Sequence, residues 1–348
     1  MLGAGPVGLV AALELSKNFP TKLVTRELPS REDLPRVEAV PASLLALLVE
    51  FGIKPQQLGV DDLHESRQIA WEQEDAIESH APVAAHVERP SLDLALLQAV
   101  IASGRVSVAL SNQRDGYEPV LAAARRNDLR LVDATGRRSV SASKKMQPVK
   151  PWAARTFLAL RQSCSASPGL RIAALPGGFV YRLGSSRHIV LGIVGRHKTI
   201  LGDPLSLERQ LQEVGAGWIL IGLPALAELI PGKVSAASVQ WATDGAGWRI
   251  GDAALARDTL SSQGLAAGIS EALYCAAAVR ASGDATLWSL RQGEQRAKHL
   301  RSLEQLIARC RFGEEDIWSE YAEFVAREVD PKPIEPRVAL EAGRLTLG

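Results

Sequence analysis

Glycines near the start of the chain have the spacing of a phosphate-binding turn. Gly3, Gly5 and Gly8, with Pro6 after the second glycine, form the pattern GxGxxG. Glycines at this spacing allow a tight turn, a close approach of the backbone to a pyrophosphate and close packing of a helix on a strand. The first amides of that helix then bind the phosphates, helped by the positive end of the helix dipole. The same pattern also occurs in turns that bind no ligand. It therefore predicts a dinucleotide site only when other motifs of such a site are present in the sequence.

Two later parts of the chain have the form of loops that close on such a site. Residues 131–137 read LVDATGR, an apolar strand followed by a glycine turn. Residues 247–254 read GWRIGDAA, and residues 258–265 read DTLSSQGL. An aspartate such as Asp252 accepts hydrogen bonds from hydroxyl groups, and the backbone at the start of the next helix offers N–H groups to a negative charge. With the glycine turn, these segments indicate one cleft assembled from separated parts of the chain.

The order of these segments resembles that of the FAD-dependent aromatic hydroxylases and flavin halogenases, which share the p-hydroxybenzoate hydroxylase fold. The resemblance runs from residue 3 to residue 265. Arg36, in PRVEAVP, and Arg89, in VERPSLDLALL, occupy positions at which these enzymes place an arginine that approaches the cofactor. Residues 176–195 (PGGFVYRLGSSRHIVLGIVG) are similar to a narrower branch of flavoproteins that mature tryptophylquinone cofactors.

The resemblance implies FAD as the cofactor and a set of residues that contact it. The implied contacts are Gly3, Gly5, Pro6, Gly8, Arg36, Arg89, Asp133, Gly136, Asp252, Ser262, Gln263, Gly264 and Leu265. In this arrangement Asp252 receives a ribitol hydroxyl, and the amides of residues 262–265 face the part of the flavin that becomes negative on reduction. No metal site is expected, because the histidines and cysteines show no metal-binding spacing.

The resemblance also implies a flavin monooxygenase that hydroxylates an aromatic substrate, either a small molecule or a tryptophan residue of a partner peptide. A flavin C4a-hydroperoxide would transfer OH to an electron-rich ring, while the protein positions that ring and excludes water. The substrate is expected between the flavin and the sheet of residues 152–239, with Tyr181, Arg182, Trp241 and Trp248 as candidates to line its pocket. No catalytic side chain is singled out, because the flavin carries the chemistry.

Three alternatives stay open. A flavin halogenase is the alternative whose chemistry is most similar to hydroxylation. Resemblance to that family, however, requires a lysine early in the chain and a WxWxIP segment. No lysine lies between Lys54 and Lys144, and Trp71 and Trp152 lack that motif. A flavin-dependent reductase of prenyl or similar lipids shares the DATGR and GDAA segments. The third alternative is a degenerate, non-catalytic binding protein, and retention of FAD separates it from the enzymes.

Two features depart from the family pattern. Only Met1 and Leu2 precede the glycine turn, whereas the family has a full apolar strand there. Unless the true start lies upstream or another segment fills the gap, we expect the neighbouring strands to lie unpaired along one edge. Thr25 stands where an acid normally receives the adenosine ribose, and Glu27 substitutes only if the strand register shifts. Both features predict weaker FAD binding.

The apolar pattern predicts an α/β protein with two closely joined parts. A glycine turn followed by alternating strands and helices predicts a parallel, Rossmann-like three-layer FAD-binding region over residues 1–150. Glycine-separated runs of strand-forming residues predict a substrate domain, mainly antiparallel sheet, over residues 151–240. Residues 241–285 return to the FAD-binding region, and residues 286–348 are expected to form a C-terminal helical region.

Composition argues against several other partners. The chain of 348 residues carries 40 basic and 39 acidic side chains, a net charge of +1, so no broad field is present to hold nucleic acid or an anionic membrane. No uncharged apolar run reaches the length of a membrane span, and three scattered cysteines are typical of reduced thiols in a cytoplasmic protein. Because a second GxGxxG motif is missing, NAD(P)H is expected only as a transient electron donor, and a separate reductase is the other source.

Overall fold

Helices and strands follow one another along the whole described chain. The computed structural model describes residues 1–30, 36–60, 63–111, 116–126, 128–165, 169–196, 202–243, 247–281 and 284–329, with the backbone alone at residues 65–66 and 79–83. The helices are α1 (Pro6–Ser16), α2 (Ala42–Glu50), α3 (Arg89–Ala102), α4 (Glu118–Arg125), α5 (Pro204–Glu213), α6 (Asp252–Leu255), α7 (Gly264–Ala281), α8 (Ala285–Ala308) and α9 (Asp316–Val329). The strands are β1 (Thr21–Thr25), β2 (Val37–Pro41), β3 (Leu63–Ala70), β4 (Ile77–Glu88), β5 (Val106–Leu110), β6 (Val132–Asp133), β7 (Lys145–Met146), β8 (Trp152–Leu160), β9 (Leu170–Leu175), β10 (Gly178–Gly184), β11 (His188–Arg196), β12 (Ile230–Pro231), β13 (Ser235–Ala236), β14 (Gln240–Ala242) and β15 (Trp248–Arg249). The predicted α/β class is confirmed.

A small parallel sheet forms the centre of the first core, and the start of the chain completes it. β1 pairs with β5 and β6 pairs with β15, both in parallel. Between the two pairs, Leu2 donates to the Val132 carbonyl and accepts from the Ala134 amide, both at 2.9 Å, while the Gly3 amide donates to the Val24 carbonyl at 2.9 Å. Met1 to Gly3 therefore fill part of the expected gap between the neighbouring strands, because backbone groups of any extended residue can make these hydrogen bonds.

The N-terminal amine lies against this small sheet. The Met1 amine donates to the Lys22 carbonyl at 2.9 Å. Burial lowers the pKa of the amine to about 6, although the negative charge of Asp133 acts in the opposite direction. A buried amine loses the hydration that stabilises its charged form.

α1 is buried on every side. Leu9, Val10, Ala11 and Ala12 are inaccessible to solvent, and the helix contacts α3, α7 and β1. A helix that is apolar all round belongs inside a core rather than on a surface. The surrounding elements therefore fix where the first turn of α1 lies, and the glycine motif is in that turn.

The second sheet is large and mostly antiparallel. Its strands run in the order β12-β8-β11-β10-β9-β3-β4-β2, and β13 also pairs with β8. The sheet predicted within residues 151–240 is present, but β2, β3 and β4 from residues 37–88 also join it, with antiparallel pairing among themselves. The predicted parallel arrangement is wrong for β2 and β4, whereas β3 also pairs in parallel with β9. Alternation shows which face of a strand is buried and not which sheet it joins. The division of the chain into domains stays a prediction.

The two faces of the large sheet cover different clusters of side chains. On one face Val180 packs with residues of α5. On the other face Phe179 joins an aromatic cluster with α8 and α9, and Leu183 joins a smaller cluster with Val37 of β2. Tyr181 packs against both of the latter clusters, so the middle of this face lies between two apolar surfaces.

Aromatic contacts attach α9 to the large sheet. Trp152 stacks on Tyr321 with 4.7 Å between ring centroids, and it meets Trp318 edge to face at 4.8 Å. Trp71 also meets Trp318 edge to face, at 5.4 Å. Pairs at such distances contribute roughly 0.5–1.5 kcal/mol each beyond the area they bury, so this end of the sheet is firmly covered.

A buried carboxylate joins the large sheet to the first core. Glu88 ends β4, directly before α3, and its Oε1 accepts from the Ser185 hydroxyl at 2.6 Å and contacts Nδ1 of His188 at 2.8 Å. Its Oε2 pairs with Arg187 at 2.5 Å. Burial opposes ionisation, but the hydrogen bonds from His188 and Ser185 and the charge of Arg187 outweigh it and lower the pKa of Glu88. The turn between β10 and β11 is thereby held against the start of α3.

We predict that Glu88→Gln lowers the free energy of unfolding by about 2–3 kcal/mol at neutral pH, because buried donors lose a charged acceptor. The pKa of Glu88 is lower in the folded than in the unfolded chain. Its stabilising effect is therefore complete above the unfolded value and is lost as the pH falls through the folded value. Urea unfolding of both proteins should show a difference that shrinks in acid below about pH 4. A difference that grows in acid contradicts this account.

A second prediction compares two glycines in helices. A Cβ at Gly8 of α1 would overlap the Gly3 carbonyl oxygen, whereas a Cβ at Gly293 of α8 would meet no atom within 4 Å. Gly8→Ala should therefore destabilise the protein by more than about 2 kcal/mol. Gly293→Ala should stabilise it by about 0.5–1 kcal/mol, since alanine has the better helix propensity. Thermal and urea unfolding measure both effects, and equal effects would show that the glycine turn is not tightly packed.

Candidate functional site

The glycine turn leaves open space at the start of α1. Gly3 has a φ of +93°, and a Cβ there would lie 2.5 Å from the Ala134 carbonyl oxygen. Gly5 is the N-cap of α1 and no side chain caps the helix, while a Cβ at Gly5 would meet no atom within 4 Å. Pro6 follows at the first helical position, where a missing N–H costs nothing. Uncapped amides that border open space favour an anion.

Asp133 shapes the turn of the second segment. Its carboxylate is buried, and Oδ1 accepts from the amide and the hydroxyl of Thr135 at 2.9 and 2.6 Å. Oδ2 accepts from the Ser141 amide at 2.9 Å. Gly136 has a φ of +67° and open space at its Cβ position. The carboxylate of Asp133 thus holds a loop whose glycine borders free space, and its predicted contact with a cofactor stays a prediction.

Arg137 ties the second segment to the third. Its guanidinium donates to the carbonyls of Ser238 and Arg257 at 2.6 and 2.9 Å, and its Nε lies 3.9 Å from Oδ2 of Asp252. About 41% of the Asp252 side-chain surface is accessible, yet protein surrounds the group closely enough that burial raises its pKa, an effect that the positive charge of Arg137 opposes. Asp252 is therefore a partly accessible carboxylate beside Arg137.

The third segment also packs tightly against α1. Gly251 has a φ of +57°, and a Cβ there would lie 3.1 Å from Val7. A Cβ at Gly268 of α7 would lie 2.7 Å from the same valine. Glu271 accepts from the Gly251 amide at 2.8 Å and pairs with Arg257 at 2.9 Å. These contacts fix the loop before α6, and α7 itself, against the first turn of α1.

A short 3₁₀ turn leads into α7. Oδ1 of Asp258 caps this turn by accepting from the Ser261 amide at 3.2 Å, and Ser262 then adopts a φ of +49°. Gly264 begins α7, and a Cβ there would meet no atom within 4 Å. Nε2 of His299 lies 3.0 Å from Oδ2 of Asp258, without the alignment of a hydrogen bond. The sequence analysis missed His299, because one histidine in a charged helix carries no signal.

Two predicted arginines lie side by side at the start of α3. The Arg89 amide donates to the Arg36 carbonyl at 2.8 Å. The Arg89 guanidinium pairs with Glu38 at 2.5 Å and with Asp93 at 3.2 Å, and the Arg36 side chain is exposed. Burial opposes the charge on Arg89, but the two carboxylates outweigh it and raise its pKa. The sequence analysis identified neither acid, although the i, i+4 spacing of Arg89 and Asp93 is a known ion-pair signal.

The end of β1 carries a neutral group where an acid is usual. Thr25 is buried, and its hydroxyl donates to the Glu27 carbonyl at 2.8 Å. The Glu27 side chain is exposed and lies beyond the last residue of the strand. The hydroxyl of Thr25 is therefore already used in the backbone turn, and Glu27 does not take its place in the strand.

Tyr181 and Arg182, both predicted to line a substrate pocket, lie on opposite faces of β10. The Tyr181 ring crosses Gly192 of β11 so closely that a Cβ there would overlap the ring. Arg182 instead donates to the carbonyls of Ile219 and Ile221 at 2.8 and 2.9 Å. Side chains of neighbouring strand residues point to opposite faces, so one face of the sheet cannot present both.

The two tryptophans predicted for the same pocket lie in different cores. Trp241 is buried in the aromatic cluster beside Phe324, at 6.0 Å between ring centroids. Trp248 stacks on Trp288 in the first core, at 5.9 Å. The roles of all four candidates stay predictions, and Tyr181 is the one in the middle of the sheet face, partly buried between the two clusters.

Within the described ranges, no group of three or more histidine, cysteine, aspartate or glutamate side chains is arranged to hold a metal ion. In those same ranges, every helix is too short or too polar to cross a bilayer. Burial raises the pKa of the Cys275 thiol to about 12 and that of Cys310 to about 11, which makes both thiols poor nucleophiles at neutral pH.

Comparison with known proteins gives no match to a family model and none to a curated protein. Solved structures do match. The peptidyl tryptophan dihydroxylase QhpG, essential for tryptophylquinone cofactor biogenesis, is similar with a TM-score of 0.68 and 19% identity, over 94% of this chain and 77% of that one. The flavin-dependent brominase Bmp2 gives 0.64 and 14%, over 93% and 92%.

A 2,6-dihydroxypyridine-3-hydroxylase from Arthrobacter nicotinovorans is also similar, with a TM-score of 0.65 and 13% identity, over 90% of this chain and 92% of that one. Two hydroxylases and a flavin-dependent brominase thus share one architecture with this protein at low sequence identity. The chain has the fold of these hydroxylases and halogenases, as the resemblance of its motifs predicted.

Proposed function

We propose that this protein binds FAD and uses it to oxygenate an electron-rich aromatic ring, such as a tryptophan side chain in a peptide. One observation carries the proposal. The glycine turn, the loop after β6 and the loop before α6 come together, through the contact of Gly3 with Ala134, that of Val7 with Gly251, and the approach of Arg137 to Asp252. These are the segments that contact the cofactor in the family that the sequence resembles.

The residues present fit the parts of an FAD molecule. Open space at Gly5 and Gly264 leaves room for a ligand at the starts of α1 and α7, where unpaired amides favour negative charge. Asp252 offers accessible carboxylate oxygens to ribitol hydroxyls. The adenosine end fits less well, since Thr25 supplies a hydroxyl that is already hydrogen-bonded. We therefore expect affinity to come mainly from the pyrophosphate and flavin ends.

FAD, when bound, supplies the oxygen-activating chemistry, and the protein supplies binding and orientation. The start of α1 holds the phosphates. Arg137 keeps Asp252 in place on the cleft wall, through its own hydrogen bonds to the carbonyls of Ser238 and Arg257. The start of α7, shaped by Ser262 at φ +49°, would offer its amides and the positive end of its dipole to the negative charge of reduced flavin.

The substrate side of the proposed site is the middle of the large sheet. There Tyr181 lies across Gly192 between the aromatic cluster and the cluster around Leu183. Apolar surfaces on both sides of one phenol suit a flat aromatic ring and exclude water from it. A peptide substrate is supported by the similarity to a dihydroxylase of peptidyl tryptophan. Halogenation is less well supported, because no lysine lies between Lys54 and Lys144.

The purified protein is predicted to retain FAD and to oxygenate a ring. After incubation with FAD and gel filtration, a flavin spectrum should travel with the protein. With the flavin reduced by light in the presence of EDTA as the electron donor and then exposed to air, a tryptophan-containing peptide should gain the mass of one or two oxygen atoms. Bromide in the same assay provides a control, since a brominated product would assign the halogenase instead. If the protein retains no flavin, the enzyme proposal fails and the alternative of a non-catalytic binding protein is favoured.

Gly5→Ala should separate cofactor binding from folding. Gly5 has a φ of −74° and open space at its Cβ position, so alanine should leave the melting temperature of the FAD-free protein unchanged within about 2 °C. The added methyl group enters the space proposed for the pyrophosphate, and we expect FAD affinity to fall at least about tenfold, the effect of roughly 1.4 kcal/mol. Flavin fluorescence titration measures the affinity. Unchanged affinity would place the phosphates elsewhere.

A further inference from the structure

A buried histidine and a buried aspartate meet behind the start of α7. Nε2 of His299, in α8, lies 3.0 Å from Oδ2 of Asp258, and only 3% and 4% of the two side chains are accessible. In the described part of the chain, neither of these two atoms has a hydrogen-bond partner. Two bare lone pairs would repel each other at this distance, so the ring proton is assigned to Nε2. A small rotation of the imidazole then directs this N–H at the carboxylate.

Asp258 shapes the turn that leads into α7. Its Oδ1 accepts from the Ser261 amide at 3.2 Å, and its backbone carbonyl accepts from the Ser261 hydroxyl at 3.2 Å. Ser262 follows with a φ of +49°, and Gly264 begins α7 beside open space. One oxygen of the carboxylate binds the turn while the other faces His299, so this side chain joins the turn before α7 to the imidazole of α8.

Other groups near Asp258 interact with partners of their own. The Tyr321 hydroxyl accepts from the Val239 amide at 3.2 Å, and burial, with the negative charge of Asp258, raises the pKa of this phenol well above its ordinary value. Arg257, the preceding residue of the chain, pairs with Glu271 at 2.9 Å. A buried carboxylate oxygen that receives no hydrogen bond is costly, and the imidazole of α8 lies within reach of this one.

We propose that His299 is a positioning residue, whose N–H holds Asp258 and, through it, the turn that directs the first amides of α7 at the flavin. The inference rests on the proposed function and adds a residue that acts on the cofactor through another side chain. Reduced flavin carries a negative charge that oxidised flavin lacks, and the interaction of amides with this charge depends on their direction. Loss of the N–H should therefore weaken the binding of reduced FAD more than that of oxidised FAD.

Substitutions of His299 that differ in the reach of their N–H test this inference on the FAD-loaded full chain. Equilibrium reduction against a dye of known potential gives the ratio of the affinities for reduced and oxidised FAD. In His299→Leu, which has no donor, this ratio should fall about tenfold, a shift of about 30 mV to lower potential for a two-electron couple. In His299→Gln the amide N–H can take the place of Nε2–H, and the ratio should stay within about threefold of the wild-type value. His299→Asn is equally polar but too short, so it should show the fall seen in His299→Leu and replaces that variant if leucine prevents folding.

Leu303→Ala provides the matched control. Leu303 lies one turn after His299 in the same helix and is buried in the aromatic cluster. Its truncation should lower the melting temperature of the FAD-free protein but leave the affinity ratio unchanged, because the N–H that faces Asp258 stays in place. An equal fall of the ratio in Leu303→Ala would assign the effect to loosened packing of α8 and overturn the inference. A ratio that falls as far in His299→Gln as in His299→Leu would overturn it as well.

Retention of FAD, measured first, separates the two proposals. If the wild type retains no FAD, the proposed function fails and this inference falls with it. If the wild type retains FAD and the affinity ratio is the same in the wild type and in the variants that lack the N–H, the inference about His299 fails while the FAD-dependent function stands.

Discussion

The close approach of three backbone segments at the first turn of α1 is the constraint on which the cleft depends. Gly3 lies against the Ala134 carbonyl, and Gly251 and Gly268 lie against Val7. None of these positions has room for a Cβ without displacement of its neighbour. Because the segments come from distant parts of the chain, their glycines act together: each removes the side chain that would hold the loops apart and close the space beside Gly5.

Two arginines beside the proposed site each interact with more than one partner. Arg137 donates to two carbonyls and lies near Asp252, while Arg89 is held between Glu38 and Asp93. Buried ions are tolerated when their hydrogen-bonding groups are satisfied. The result is a set of charges fixed before any ligand arrives, which lowers the reorganisation that binding requires.

The two ends of the cleft differ in how much of the family pattern they keep. The proposed phosphate and flavin ends retain the glycines, the aspartate of the third segment and the helix start, whereas the proposed adenosine end has a hydrogen-bonded threonine. Architecture shared with hydroxylases and a brominase at 13–19% identity shows how few positions that fold requires. Function then depends on the particular groups at the site rather than on the fold.

The sequence by itself determined the fold class, the order of the cofactor segments and the start of α1, because glycine spacing, helix periodicity and short motifs are local properties. Pairing between distant segments is not local, so only the tertiary structure decided that Leu2 pairs within the small parallel sheet and that β2, β3 and β4 join the large sheet. It also decided that Arg182 turns away from Tyr181 and that Glu38 meets Arg89. A strand's alternation reveals that it has two faces, but the partners of each face are set by how the whole chain packs.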